Sequence, residues 1–133
     1  ENLRGTMDPG PAPPHLELLD SCANGDAAAV LRLIEGKVDV NATDRFGGSP
    51  LLQAAWNKHT EIVRMLVDAG ANIDGADKDG HTPLHFAANS SCPEIVKLLL
   101  ARGASATIVN KNGKTPGDVA EGDETKALFN TAP

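Results

Sequence analysis

Three glycines, Gly47, Gly80 and Gly113, stand 33 residues apart, and each closes a polar tetrapeptide: Asp44-Arg-Phe-Gly, Asp77-Lys-Asp-Gly and Asn110-Lys-Asn-Gly. A Ser/Thr-Pro pair follows each one, at Ser49-Pro50, Thr82-Pro83 and Thr115-Pro116. The same period relates Ala54-Ala55 to Ala87-Ala88, Glu61-Ile62-Val63 to Glu94-Ile95-Val96, and Gly70-Ala71 to Gly103-Ala104. Chance does not produce such a register. A repeat of this length means stacked supersecondary units, each too small to bury its own apolar face.

The unit can be read from its chemistry. Ser49 and Thr82 are N-cap candidates, and the proline after each sits at the first helical position, where no amide hydrogen is needed. A short helix starts there and ends at a polar break, Asn57-Lys58-His59 or Asn89-Ser90-Ser91-Cys92. A second helix is expected over Glu61 to Asp68 and again over Glu94 to Ala101. Ile62, Val63, Leu66 and Val67, like Ile95, Val96, Leu99 and Leu100, fall at helical spacing. Gly70 and Gly103 then occupy the left-handed position that ends a helix. Each unit is thus a helix, a turn, a helix and a protruding turn.

With these motifs in place, the chain resembles an ankyrin-repeat protein. Residues 77–88, Asp-Lys-Asp-Gly-His-Thr-Pro-Leu-His-Phe-Ala-Ala, followed by Glu94-Ile-Val-Lys-Leu-Leu-Leu-Ala-Arg-Gly-Ala, are similar to the family consensus almost position by position. The repeats are read as about 15–47, 48–80, 81–113 and a shortened 114–133. The resemblance implies an all-α ankyrin-repeat solenoid of helix-turn-helix units with protruding β-turn or hairpin loops. In the first repeat Lys37 stands where the capping glycine belongs, just after Gly36. Polar residues of the end repeats (Asp20, Asn24, Asp26 and Arg32; Asp118, Glu121, Asp123, Glu124 and Lys126) fit capping units, with Leu128 and Phe129 folding back over the third repeat. Thr115-Pro-Gly-Asp118 has capping-box spacing. A chain capped at both ends reads as a complete small protein.

Outside the repeats, residues 1–14 contain Pro9, Pro11, Pro13 and Pro14 and are expected to be extended and solvated. Residues 1–6 read as an expression remnant, with Met7 the candidate native start.

The search for chemistry yields little. No Gly-rich loop precedes a Lys-Ser/Thr pair, and no Ser or Cys carries a local catalytic signature. Cys22 and Cys92 lie far apart, outside any zinc-like spacing, and are expected to be reduced thiols. His81 and His85 are four residues apart, a spacing that can hold a metal on a helix, but further ligands are lacking. The resemblance gives His85 a bracing role instead, while His15 and His59 read as isolated polar positions. Asp77 and Asp79 flank a turn, where Asp77 is expected to accept turn amides. Neither catalysis, a cofactor nor a bound metal is expected.

A net charge of −6 with 3% aromatics disfavours a nucleic-acid binder, and no apolar run is long enough to cross a bilayer. The expected chain is a monomer on its own, cytoplasmic or nuclear, with another protein as partner. The resemblance implies that turn tips and first helices line a concave binding face. Projected onto this sequence, the tips are Arg45, Phe46, Lys78, Asp79, His81, Lys111, Asn112 and Lys114, and the helix ends are Trp56, Asn57, Asn89 and Ser90. Trp56, the only tryptophan, and Phe46 are the residues least explained by the scaffold, and Trp is enriched in binding hot spots. Leu33, Asp39, Val40 and Asn41 resemble the surroundings of asparagines that are hydroxylated in ankyrin repeats, so Asn41 is a candidate modification site. The expected function is an adaptor-type interaction module. The alternative is a stoichiometric regulator of one enzyme or assembly, resembling small ankyrin inhibitors of cyclin-dependent kinases or proteasome assembly chaperones.

Overall fold

The computed structural model describes residues 14–129, so the extended segment expected before Pro14, and the side chain of His15, lie outside the described residues. The elements are α1 (Pro14–Asn24), α2 (Ala27–Glu35), α3 (Pro50–Trp56), α4 (Thr60–Asp68), α5 (Pro83–Asn89), α6 (Pro93–Ala101), α7 (Pro116–Val119) and α8 (Asp123–Phe129). Helices α1, α3, α5 and α7 pack in one row, and α2, α4, α6 and α8 form a second row behind it. Among the described residues there is no strand: each protruding loop is a turn closed by a backbone bond, Asp44 N to Gly48 O, Asp77 N to His81 O and Asn110 N to Lys114 O.

Capping chemistry sets where these short helices begin. Ser49 Oγ accepts from Leu52 N at 3.1 Å and Thr82 Oγ1 from His85 N at 3.2 Å, each satisfying an amide that has no partner within its helix. At α7 the capping box closes in both directions: Asp118 N donates to Thr115 Oγ1 and Thr115 N to Asp118 Oδ2. The Thr115 amide, with its hydroxyl, holds the Asp118 carboxyl below its ordinary value. The second helices start one residue earlier than expected, at Thr60 and Pro93, because His59 and Cys92 take the N-cap positions. Helix ends follow the repeat, with Gly70 at φ +95° and Gly103 at φ +93°. Lys37 adopts the same left-handed backbone at φ +67°, a conformation that favours glycine.

The core is a continuous seam between neighbouring units. Leu18, Val30, Leu51, Ile62, Leu66, Leu84, Ile95 and Leu99 are all essentially inaccessible, while Ala54, Ala55, Ala87 and Ala88 let the first helices approach closely. Leu128 and Phe129 pack against this core, as expected of the last repeat.

Polar bonds tie the units together at their edges. Thr82 N donates to His85 Nδ1 at 3.2 Å, which leaves Nε2–H to donate to the Lys114 carbonyl at 2.8 Å, one repeat ahead. Burial pushes the His85 pKa below its ordinary value of 6.5 and favours this neutral form. His59 is not isolated: its Nε2 lies 3.1 Å from the Ala23 carbonyl, and its ring occupies the space a side chain at Gly25 would need. The turn tips are bonded to one another, Lys78 N to Phe46 O and Lys111 N to Asp79 O. Gly47, at φ +81°, permits this close approach, since a Cβ there would stand 3.0 Å from Lys78 N.

Candidate functional site

The face expected to bind is the exposed side of the first-helix row. Within α3, Gln53 and Trp56 are three residues apart and share one helix face; within α5, Phe86 and Asn89 do the same one repeat later. Trp56 is 51% exposed and meets Phe86 edge to face, with ring centroids 5.2 Å apart and planes at 69°. That contact is local: it orients the indole and leaves half of it open to solvent.

Two grooves flank this aromatic wall. The first, of about 310 Å³, runs between Phe46 and Trp56, with Leu52 and Gln53 from α3, Phe86 from α5, and the turn carboxylates Asp44 and Asp77. Phe46 itself is 69% exposed, on the tip that precedes α3. The second, of about 300 Å³, lies between Trp56 and the third tip, where His81, Asn89, Asn112 and Lys114 stand around the apolar surface of Trp56, Phe86 and Val119.

The structure therefore brings Phe46 and Trp56 together in one groove, and His81, Asn89, Asn112 and Lys114 in the other. The remaining residues expected in the site line neither groove. Arg45 holds its guanidinium 6.0 Å from the Phe46 ring centroid. Lys78 and Asp79 contribute backbone groups to the bonds between tips, and Lys111 Nζ pairs with Asp79 Oδ1 at 3.5 Å. Asn57 Nδ2 donates to Gln53 O at 2.8 Å, and Ser90 Oγ to Trp56 O at 3.5 Å, so both serve the helix ends. Asn41 stands apart from both grooves. It is exposed, and its Oδ1 accepts from Asn72 N at 2.8 Å, bridging to the next repeat as Asp74 does to Ser105.

Sequence reasoning passed over Phe86, because it falls in a consensus stretch and reads as scaffold, and it placed the carboxylates Asp44 and Asp77 in the turns without placing them at a groove. The signal that finds Phe86 is its period: it stands 33 residues after Gln53, on the face that Trp56 marks. Among the described residues Asp77, Asp79 and His81 approach one another, but Asp77 Oδ1 already accepts from the amides of Asp79 and His81, and the cluster is a turn.

Comparison with known families decides the class. The family described as Ankyrin repeats (3 copies) matches residues 18–110, well over half of the chain. The chain belongs to the ankyrin-repeat family. Ankyrin repeats are protein–protein interaction modules and typically non-catalytic. No curated protein is similar enough to count as a relative of this ankyrin chain. No helix among its described residues is long and apolar enough to cross a membrane.

Proposed function

We propose that this ankyrin chain is an adaptor-type module that docks a segment of a partner protein along its concave trough, with the two grooves on either side of Trp56 as the central subsites. The observation that carries this reading is the joint exposure of Trp56 and Phe46 across one groove. A solvated indole held in a fixed orientation by Phe86 is a preorganised anchor, and binding energy concentrates on such aromatic residues when a partner dries them. The polar rim of amides and mixed charges around the grooves matches the usual anatomy of a non-obligate interface.

A photo-crosslinking residue placed at Gln53, in the trough, or at Arg64, on the outer helix α4, tests this in the native cell. Position 53 is expected to capture a defined partner, and Trp56→Ala in the same chain to abolish the capture. Capture from position 64 alone, or capture at 53 that ignores Trp56→Ala, would show that the partner docks elsewhere.

A further inference from the structure

We propose that the groove between Phe46 and Trp56 takes a basic side chain, arginine or lysine, from the docked segment. This rests on the reading of the trough as the docking site and adds the chemistry of its occupant.

The groove combines aromatic rings with carboxylates, and none of its lining residues is basic. Phe46, Trp56 and Phe86 surround it, Asp44 and Asp77 reach it from the turns, and neither Lys nor Arg lines it. The adjoining groove toward α1 continues the pattern, with Asp20 joining Asp44 and again no basic residue. Aromatic faces carry partial negative charge and attract cations placed within about 6 Å of the ring centre. One ring already shows this, since Arg45 approaches Phe46 to that distance from the tip.

Backbone geometry does not require the charges at Asp44 and Asp77, although Asp77 Oδ1 also lies 3.6 Å from His81 Nδ1 and would pair with that ring when it is protonated. Asp44 Oδ1 accepts from the amides of Phe46 and Gly48, and Asp77 Oδ1 from those of Asp79 and His81. One repeat later Asn110 Oδ1 accepts the equivalent pair, from Asn112 and Lys114, at 2.9 and 3.1 Å. A neutral amide oxygen therefore builds the same turn. The backbone turn does not need the two negative charges, and among the described residues neither Oδ2 takes part in a hydrogen bond.

The groove beside Asn110 differs as this account requires. It has no carboxylate, and Lys114 lines it. The trough is thus polarised about the Trp56–Phe86 wall, acidic and aromatic on one side, amide-bearing and weakly basic on the other. An arginine or lysine fits the first side in both its parts. The aliphatic stem lies against Leu52 and the rings, and the charged head reaches Asp44 and Asp77, where hydrogen bonds are charge-assisted.

The test selects randomised dodecamer peptides on the full chain, then measures the survivors by fluorescence anisotropy. Peptides that need Trp56 are expected to share an arginine or lysine. Exchanging that residue for citrulline or norleucine should weaken binding about tenfold or more. The double variant Asp44→Asn/Asp77→Asn should lose a similar factor while keeping its thermal unfolding midpoint, as Asn110 implies. The citrulline and norleucine arms do not depend on how that variant folds. Equal binding of the neutral peptides, or Trp56-dependent peptides without a shared basic residue, would overturn this inference and leave the trough reading standing. Selected peptides that bind Trp56→Ala as tightly as the parent chain would overturn both.

Discussion

Trp56 and Phe86 meet edge to face at 5.2 Å, one at the end of its first helix and the other in the middle of the next, so the two grooves beside the first-helix row share a wall. The two rings differ in what they give the fold, since Trp56 is half exposed and Phe86 is packed against the core. Trp56→Ala should therefore lower stability by about 1 kcal/mol, roughly the worth of the aromatic pair. Phe86→Ala should cost about 2 kcal/mol or more through lost burial. Urea unfolding of both variants checks the order; equal losses would mean that Trp56 is part of the scaffold.

The His85 brace gives stability a pH dependence. Its folded pKa is depressed, so above about 6.5 the neutral imidazole contributes in full. As pH falls below that value the unfolded chain takes up a proton that the folded chain resists, and stability declines until the folded pKa is passed. His85→Leu, which copies the leucine at the equivalent position 52, removes this dependence. Unfolding free energies at pH 7.5 and 5.0 should fall more for the parent chain than for the variant. Parallel losses would contradict the assignment.

A tip glycine with another tip packed against it should be less tolerant than the glycine of the last tip. Gly47→Ala places a Cβ 3.0 Å from Lys78 N at φ +81°, whereas a Cβ at Gly113, φ +75°, meets nothing within 4 Å. Gly113→Ala should cost about 1–2 kcal/mol from left-handed strain alone, and Gly47→Ala measurably more. Thermal unfolding of the two variants side by side reads the difference.

Cys22 is fully buried, and burial pushes its thiol pKa up to about 12. At pH 8 it should react with a disulfide reagent only after unfolding, because the thiolate is the nucleophile. Mass spectrometry of a timed labelling course should find Cys22 unmodified in the folded chain; labelling within minutes would mean that α1 opens readily.

Most of the scaffold is legible in the sequence because ankyrin units are specified locally. Thr82-Pro83 fixes a helix start through one hydroxyl and one missing amide, and Gly103 fixes an end through one backbone conformation. The period then repeats the instruction. The grooves are less legible because they depend on residues from different units. Phe46 and Trp56 were conspicuous singly, but their common groove needs the tip of one repeat beside its own helix and Phe86 from the next. Asp44 and Asp77 were legible as turn formers, and their second role appears only when a groove lies beside the turn. The tips also carry a role that single residues do not reveal, since the backbone of Lys78 donates and that of Asp79 accepts the bonds that hold neighbouring tips together.

The central claim is that Trp56 anchors a partner segment in the trough. Its most direct test is the dissociation constant of the partner captured at position 53, measured by titration calorimetry for the parent chain and for Trp56→Ala. A hot-spot anchor worth about 2 kcal/mol or more predicts roughly thirtyfold weaker binding, with the variant still folded by circular dichroism. An affinity unchanged within about twofold, in a folded variant, falls far short of that hot-spot loss and would contradict the account.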